Sequence, residues 1–239
     1  MNADKLKQTV EQFRQASSTL ANTLATRSAI SYIQRHRALA CGQDIVSFAS
    51  IFGEAYEASF AKSADDLARM RNMTEDEVFN HWKIHSTMRL ELDYRLAATY
   101  KAMLFFIRAY QDGIYAILLE LTGHKASDFS SMQDCLSKER NPVRQRIIDR
   151  LPAYPIWFAK MREQRNRIKS GITTGATFSM GEDSFKLLIN LDVVWEKDGH
   201  AFIDIKEQVS IEDIIEAIRM STEVSDFTNN WAEEIWQIK

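Results

Sequence analysis

The strongest constraint on this chain is a single run, from Thr74 to Thr122, that contains no proline and one interior glycine, Gly113. Thr74 and Glu77 have the spacing of a capping box, with a threonine at the N-cap and a glutamate three residues on, so a helix is predicted to start there. Leu92, Leu96, Tyr100, Met103, Ile107, Tyr110, Ile114, Ile117 and Leu121 then recur every three or four residues. That recurrence is the buried stripe of an amphipathic helix. Unbroken from Ile84 to Thr122, the helix is ~58 Å long at the standard rise, with Gly123 as its C-cap. A rod of that length is the spine of a bundle. The whole chain of 239 residues has 3 Pro and 8 Gly, too few turn residues for a sandwich, a barrel or repeated βαβ units.

Other segments follow the helical period. Leu6, Val10, Phe13, Ser17, Leu20 and Leu24 form a narrow seam suited to one or two partner helices, including helices of another subunit. Ile45, Phe48, Phe52, Tyr56 and Phe60 mark a second helix over about 44–60. Short helices punctuated by Asn141-Pro142 and by Pro152 to Pro155 fill 124–155, and a further helix runs from Pro155, at its first turn, to Lys169. Gly171 to Ser184 reads as a Gly/Thr/Ser loop. The period then drops to two through Phe185, Leu187, Ile189, Leu191, Val193 and Trp195. Asp198-Gly199 is a hairpin turn, and Ala201 to Ile205 is the returning strand. Ser210 and Asp213 have capping-box spacing before a last helix carrying Ile214, Ile218, Trp231 and Ile235. The expected fold is mainly α: one domain over 1–239, a helical bundle with a long central helix, a hairpin at about 185–206 and a final helix.

The net charge of -3 conceals an uneven distribution. Residues 138–169 hold ten Lys or Arg against Glu139, Asp149 and Glu163, while 182–239 hold fourteen acids against five bases. The basic block has the charge of a phosphate-binding face, with Arg144, Arg146, Arg162, Arg167 and Lys169 as nucleic-acid contacts. Equally, it could neutralise the acidic C-terminal segment within one fold. Cys41 and Cys135 lack CxxC spacing and read as reduced thiols, with a single disulfide left open. The polar N-terminus lacks a signal-peptide core, and Arg108, Gln111 and Asp112 interrupt the most lipid-like stretch, Ala102 to Leu121. A cytoplasmic protein with no membrane partner is expected.

Several site classes find no support. Glu77, His81 and His85 recur at intervals of four, but the HExxH pattern and the paired Glu-x-x-His motifs of di-iron bundles are absent, so no metal or other cofactor is expected. Gly171 and Gly175 form no P-loop, and there is no GxSxG elbow. The aromatic residues from Tyr100 to Tyr115 have helical spacing and read as core.

One segment points to chemistry. Arg165-Asn166-Arg167-Ile168-Lys169-Ser170 resembles the Arg-Asn-x-x-x-His motif of HEPN-domain proteins, helical-bundle proteins that include metal-independent ribonucleases of toxin–antitoxin and phage-defence systems. Arg165 and Asn166 match the first two positions, and Ser170 stands where that family has its histidine. RNA cleavage without a metal needs a base for the 2′-hydroxyl, an acid for the leaving oxygen and donors for the phosphorane charge. Arg165 can supply donors, whereas a serine hydroxyl does not titrate near neutrality as an imidazole does. Losing that group costs ~10²–10⁴ in rate.

The resemblance therefore implies a homodimeric, HEPN-like RNA- or nucleotide-binding protein in a defence setting, with cleavage weakened or lost and Arg165, Asn166 and Ser170 as its site. A salt bridge from Arg165 to an acidic residue explains the arginine as well. The alternative function is a non-enzymatic protein-interaction or immunity protein. A third is an active metal-independent endoribonuclease using another proton donor, such as His124 or His200.

Overall fold

The computed structural model describes residues 2–25, 30–127, 130–170, 175–180, 185–197 and 200–237, with side chains described outside 2, 67, 79, 81–93, 170–188, 190–207 and 237. It is a mainly α helical bundle. The helices are α1 (Asn2–Ala25), α2 (Tyr32–Met70), α3 (Glu75–Leu121), α4 (Met132–Ser137), α5 (Arg144–Arg150), α6 (Tyr154–Ser170) and α7 (Ile211–Gln237). Strands β1 (Gly175–Met180), β2 (Phe185–Lys197) and β3 (His200–Val209) lie between α6 and α7.

The spine is α3, with 47 residues, a length of ~70 Å. Both halves of the Thr74 capping box are made: the Glu77 carboxylate accepts from the Thr74 amide at 2.8 Å, and the Thr74 hydroxyl accepts from the Glu77 amide at 3.4 Å. At the other end Gly123 takes φ 79°, a conformation that disfavours side chains. The His124 amide then reaches the Leu119 carbonyl at 2.9 Å and the Gly123 amide reaches Glu120 at 3.0 Å, a Schellman closure. The expected stripe from Leu96 to Leu121 is buried, and Leu92 lies outside the described side chains.

α2 is much longer than the 44–60 read from its apolar spacing. Its first turns are held by tertiary contacts rather than by a stripe. The Glu120 carboxylate accepts from the Ser31 amide at 2.7 Å, an acidic group at a helix N-terminus. Arg35 Nη1 donates to the Leu24 carbonyl at 2.9 Å and so closes α1. α2 and α3 pack closely at Gly113, where an added Cβ would sit 3.2 Å from the Ala38 Cα.

The seam of α1 is buried, but by this chain's own helices: α1 packs on α7 and α2. It needs no second subunit, so any dimer must use another surface. The expected loop over 171–184 is also corrected. Residues 175–180 form β1, which pairs antiparallel with β2 from Gly175 opposite Asn190 to Met180 opposite Phe185. The Gly and Ser content suggested a loop, yet Thr177 and Phe178 favour extended backbone. The hairpin of β2 and β3 is present, with a bulge at Lys206, and becomes two strands of a three-stranded sheet in the order β1-β2-β3. Its turn, Asp198-Gly199, lies outside the described residues. Ser210 opens α7 with the expected reciprocal cap: the Ser210 amide donates to Asp213 at 2.9 Å and the Asp213 amide to Ser210 Oγ at 3.4 Å.

One helix segment, Tyr94–Leu121, is long and apolar enough to cross a membrane by length and composition, and its most apolar window is 67% buried inside the bundle. The packing there is that of a core helix.

Candidate functional site

α6 runs antiparallel to α3, and a ladder of polar and aromatic contacts joins them. The Tyr154 hydroxyl donates to Gln111 Oε1. The Arg108 guanidinium lies over the Phe158 ring at 4.7 Å, and that of Arg165 over Phe105 at 5.3 Å. At the far end the Tyr100 hydroxyl donates to Gln164 Oε1 at 3.3 Å. Residues 154, 158 and 165 on α6 thus meet 111, 108 and 105 on α3 in reverse order. Side chains at i, i+4 and i+11 share a helix face, which is why these six meet.

Arg165, the first motif residue, is half-buried at this seam. Its Nη1 donates to Asn166 Oδ1 at 3.2 Å, and its Nε is buried without a partner among the described residues. Among the described residues it makes no ion pair, so the acidic partner anticipated as an alternative is not found. Asn166 is exposed, and Ser170 is the last residue of α6, ~7.5 Å along the axis from Arg165.

The five basic candidates divide. Arg144 Nε donates to the Leu136 carbonyl at 3.0 Å. Arg146 stacks on Trp231 at 4.4 Å and pairs with Glu234 of α7. Arg167 pairs with Glu163 within α6 at 2.6 Å. Arg162 and Lys169 are exposed. Lys160 also crosses to α7, meeting Asp213 at 2.7 Å. Part of the basic block therefore does neutralise the acidic C-terminal helix. The block is not one bare face; what remains on α6 is exposed Arg162, Asn166 and Lys169 with half-buried Arg165 among them, a stripe at i, i+3, i+4 and i+7.

The sequence reading missed Arg108 and Asp112 as site residues. It treated them as polar interruptions in an apolar stretch, although 108, 111 and 112 fall on one helical face. Arg108 Nε donates to Asp112 Oδ2 at 3.1 Å, and Asp112 Oδ1 accepts from the Met132 amide at 2.8 Å, tying the start of α4 to α3. Burial pushes Arg108 down from its ordinary value, and the nearby Arg165 guanidinium adds to that push. Burial raises the Asp112 carboxyl, opposed by Arg108 and by the Met132 amide. Burial likewise holds the Tyr154 hydroxyl well above its usual range.

Other candidates lack the geometry for catalysis at Arg165. His124 is exposed just beyond the end of α3, ~25 Å along the helix from Phe105. The side chain of His200 lies outside the described residues, as do those of His81 and His85. Glu77 is occupied by its cap, and among the described residues no three His, Cys, Asp or Glu side chains gather as a metal site. Cys41 and Cys135 are free thiols; burial pushes Cys135 up to about 12, the opposite of what a thiolate nucleophile needs. Of the aromatic run, Tyr100, Tyr110 and Tyr115 are core as expected, whereas Phe105 is 41% exposed and forms the shelf beneath Arg165.

No family model matches this chain, and neither a curated protein nor a solved structure does.

Proposed function

We propose that this protein is a HEPN-like RNA- or nucleotide-binding protein whose cleavage chemistry is weakened or lost. The observation that carries the reading is the α6 stripe of Arg162, Arg165, Asn166 and Lys169, with a half-buried arginine that has no acidic partner among the described residues. A guanidinium held over a ring, with no acidic partner among the described residues, is preorganised for phosphate oxygens. Ser170 at the end of the same helix supplies no titrating group, so binding outlives catalysis. A toxin–antitoxin or phage-defence role and a homodimer follow from the motif resemblance alone.

The test is fluorescence anisotropy of single-stranded RNA across a salt series. Three phosphate contacts give a log–log slope of about -2. Arg162→Gln with Lys169→Gln should flatten that slope, and Arg165→Met should weaken binding further. Salt-insensitive binding, or none at low salt, sinks the proposal. In the same samples the natural protein should leave RNA uncut. Robust cleavage untouched by Arg165→Ala would place a nuclease site elsewhere. Light scattering at micromolar concentration checks the dimer, and a monomer counts against it.

A second reading, a protein that binds only protein, is favoured by Arg146–Glu234 and Lys160–Asp213, which give two of the basic residues a structural use. Absence of RNA binding would leave it standing.

A further inference from the structure

The seam between α3 and α6 has a charge surplus. Arg108 and Arg165 approach one another there, and Arg37 of α2 lies near enough to act on the same carboxylate, Asp112. Asp112 already holds Arg108 Nε on one oxygen and the Met132 amide on the other. Two guanidinium nitrogens are left over. Arg108 Nη1 and Arg165 Nε are both buried and, among the described residues, both lack a hydrogen-bond partner. Buried nitrogen donors are almost always partnered in folded proteins, and two such nitrogens on neighbouring arginines mark a position that a bound group completes.

The chemistry of that group follows from the donors. Guanidinium N–H groups donate and accept nothing, so the missing partner presents acceptor atoms. The surplus is positive, so it carries negative charge. Phe105 and Phe158 each cover one guanidinium face and fix the plane in which the remaining N–H groups point, a geometry suited to the oxygens of a planar or tetrahedral oxyanion.

We propose that Arg108 and Arg165 together bind an oxyanion between α3 and α6, and that its source is a terminal phosphate, on a free nucleotide or on an RNA end. A terminal phosphate has one ester link and can bring its free oxygens to buried donors. An internal phosphodiester carries chain on both sides and is held off by the helices. The choice of phosphate rests on the RNA- or nucleotide-binding reading. The oxyanion site itself does not, and Arg108 is outside the Arg-Asn motif.

Two measurements on the full chain test it. In the first, thermal unfolding is followed as inorganic phosphate replaces chloride at constant ionic strength. The natural protein should gain stability saturably, as ligand linkage requires. Arg108→Lys and Arg165→Lys keep the charge but lose the fork, and each should weaken the apparent phosphate affinity about tenfold, whereas Arg14→Gln on α1 should not. If Arg108→Lys does not fold, Arg165→Lys on the half-buried side decides. In the second, a 5′-phosphorylated RNA should bind about tenfold tighter than its 5′-hydroxyl counterpart, with the difference lost in Arg165→Lys.

A phosphate effect no larger than that of chloride, or one equal in all three variants, overturns the site. Salt-dependent RNA binding that ignores the 5′-phosphate overturns the terminal-phosphate source while the α6 stripe stands. Phosphate stabilisation without any RNA binding supports the oxyanion site, with a free nucleotide as source, and defeats the RNA reading.

Discussion

One turn apart on the same face of α3, Gln111 and Arg108 are both polar, both inward and both reach α6, yet their surroundings differ in kind. Gln111 is fully buried and closed on every side: its oxygen accepts from Tyr154, its nitrogen donates to Ser221 Oγ at 3.0 Å, and the Ser221 hydroxyl goes on to the Ala217 carbonyl at 2.9 Å. Arg108 has one carboxylate, one aromatic ring and a buried nitrogen with no partner among the described residues. A closed network orders the meeting of α3, α6 and α7 and asks for nothing more. An open one, with surplus charge, is a place where something binds.

The sharpest way to break that contrast is to remove the carboxylate. Asp112→Ala leaves Arg108 without its partner and frees the Met132 amide. It should cost ~3 kcal/mol by urea denaturation in chloride, in the lower part of the range for a broken buried pair because both side chains keep some solvent contact. In phosphate the loss should shrink. Gln111→Leu comes next. It strands the Tyr154 hydroxyl and costs ~2 kcal/mol, with no difference between phosphate and chloride. If the two variants respond alike to phosphate, the distinction between a structural and a ligand-binding cluster fails. Arg165→Met in chloride is smaller, under ~1 kcal/mol, because the cation–π contact it loses is offset by removing an unpartnered buried donor.

The smallest effect belongs to Asp213, where α6 meets α7. Burial pushes its carboxyl up, but the Lys160 ammonium and both Ser210 donors outweigh that and hold it below the usual value. A depressed folded-state value contributes stability above the unfolded carboxylate range, near pH 4, that fades as pH falls through the lower folded value. Asp213→Asn should flatten that acid limb by less than ~1 kcal/mol, read from Tm between pH 5 and 3.

Local signals in the sequence were decoded where the cause is local. The Thr74 and Ser210 caps, the glycine closure at Gly123 and the stripes of α1 and α3 all depend on residues within a turn or two of each other. α2 escaped because its first turns rest on Glu120 and on close packing at Gly113, contacts far along the chain. β1 escaped because Gly and Ser outweighed Thr177 and Phe178 in a composition-based reading. The site was half legible. Arg165 stood out through its motif, but Arg108 acquires meaning only when antiparallel packing brings α6 back over α3, and no spacing rule spans that separation.

The packing of α1 against α7 also governs when the fold can be completed. The two helices are separated by roughly 190 residues, and a ribosome adds about 5–20 residues per second. For roughly 10–40 s of each synthesis, the Leu6–Leu24 seam has emerged before the helix that covers it exists. During that interval α2, and Tyr110 of α3 against Phe13, shield it, and α7 is the helix that closes the bundle. A nascent chain of this protein is therefore most exposed to capture or aggregation at α1, and a stall near the sheet would leave that helix half-covered.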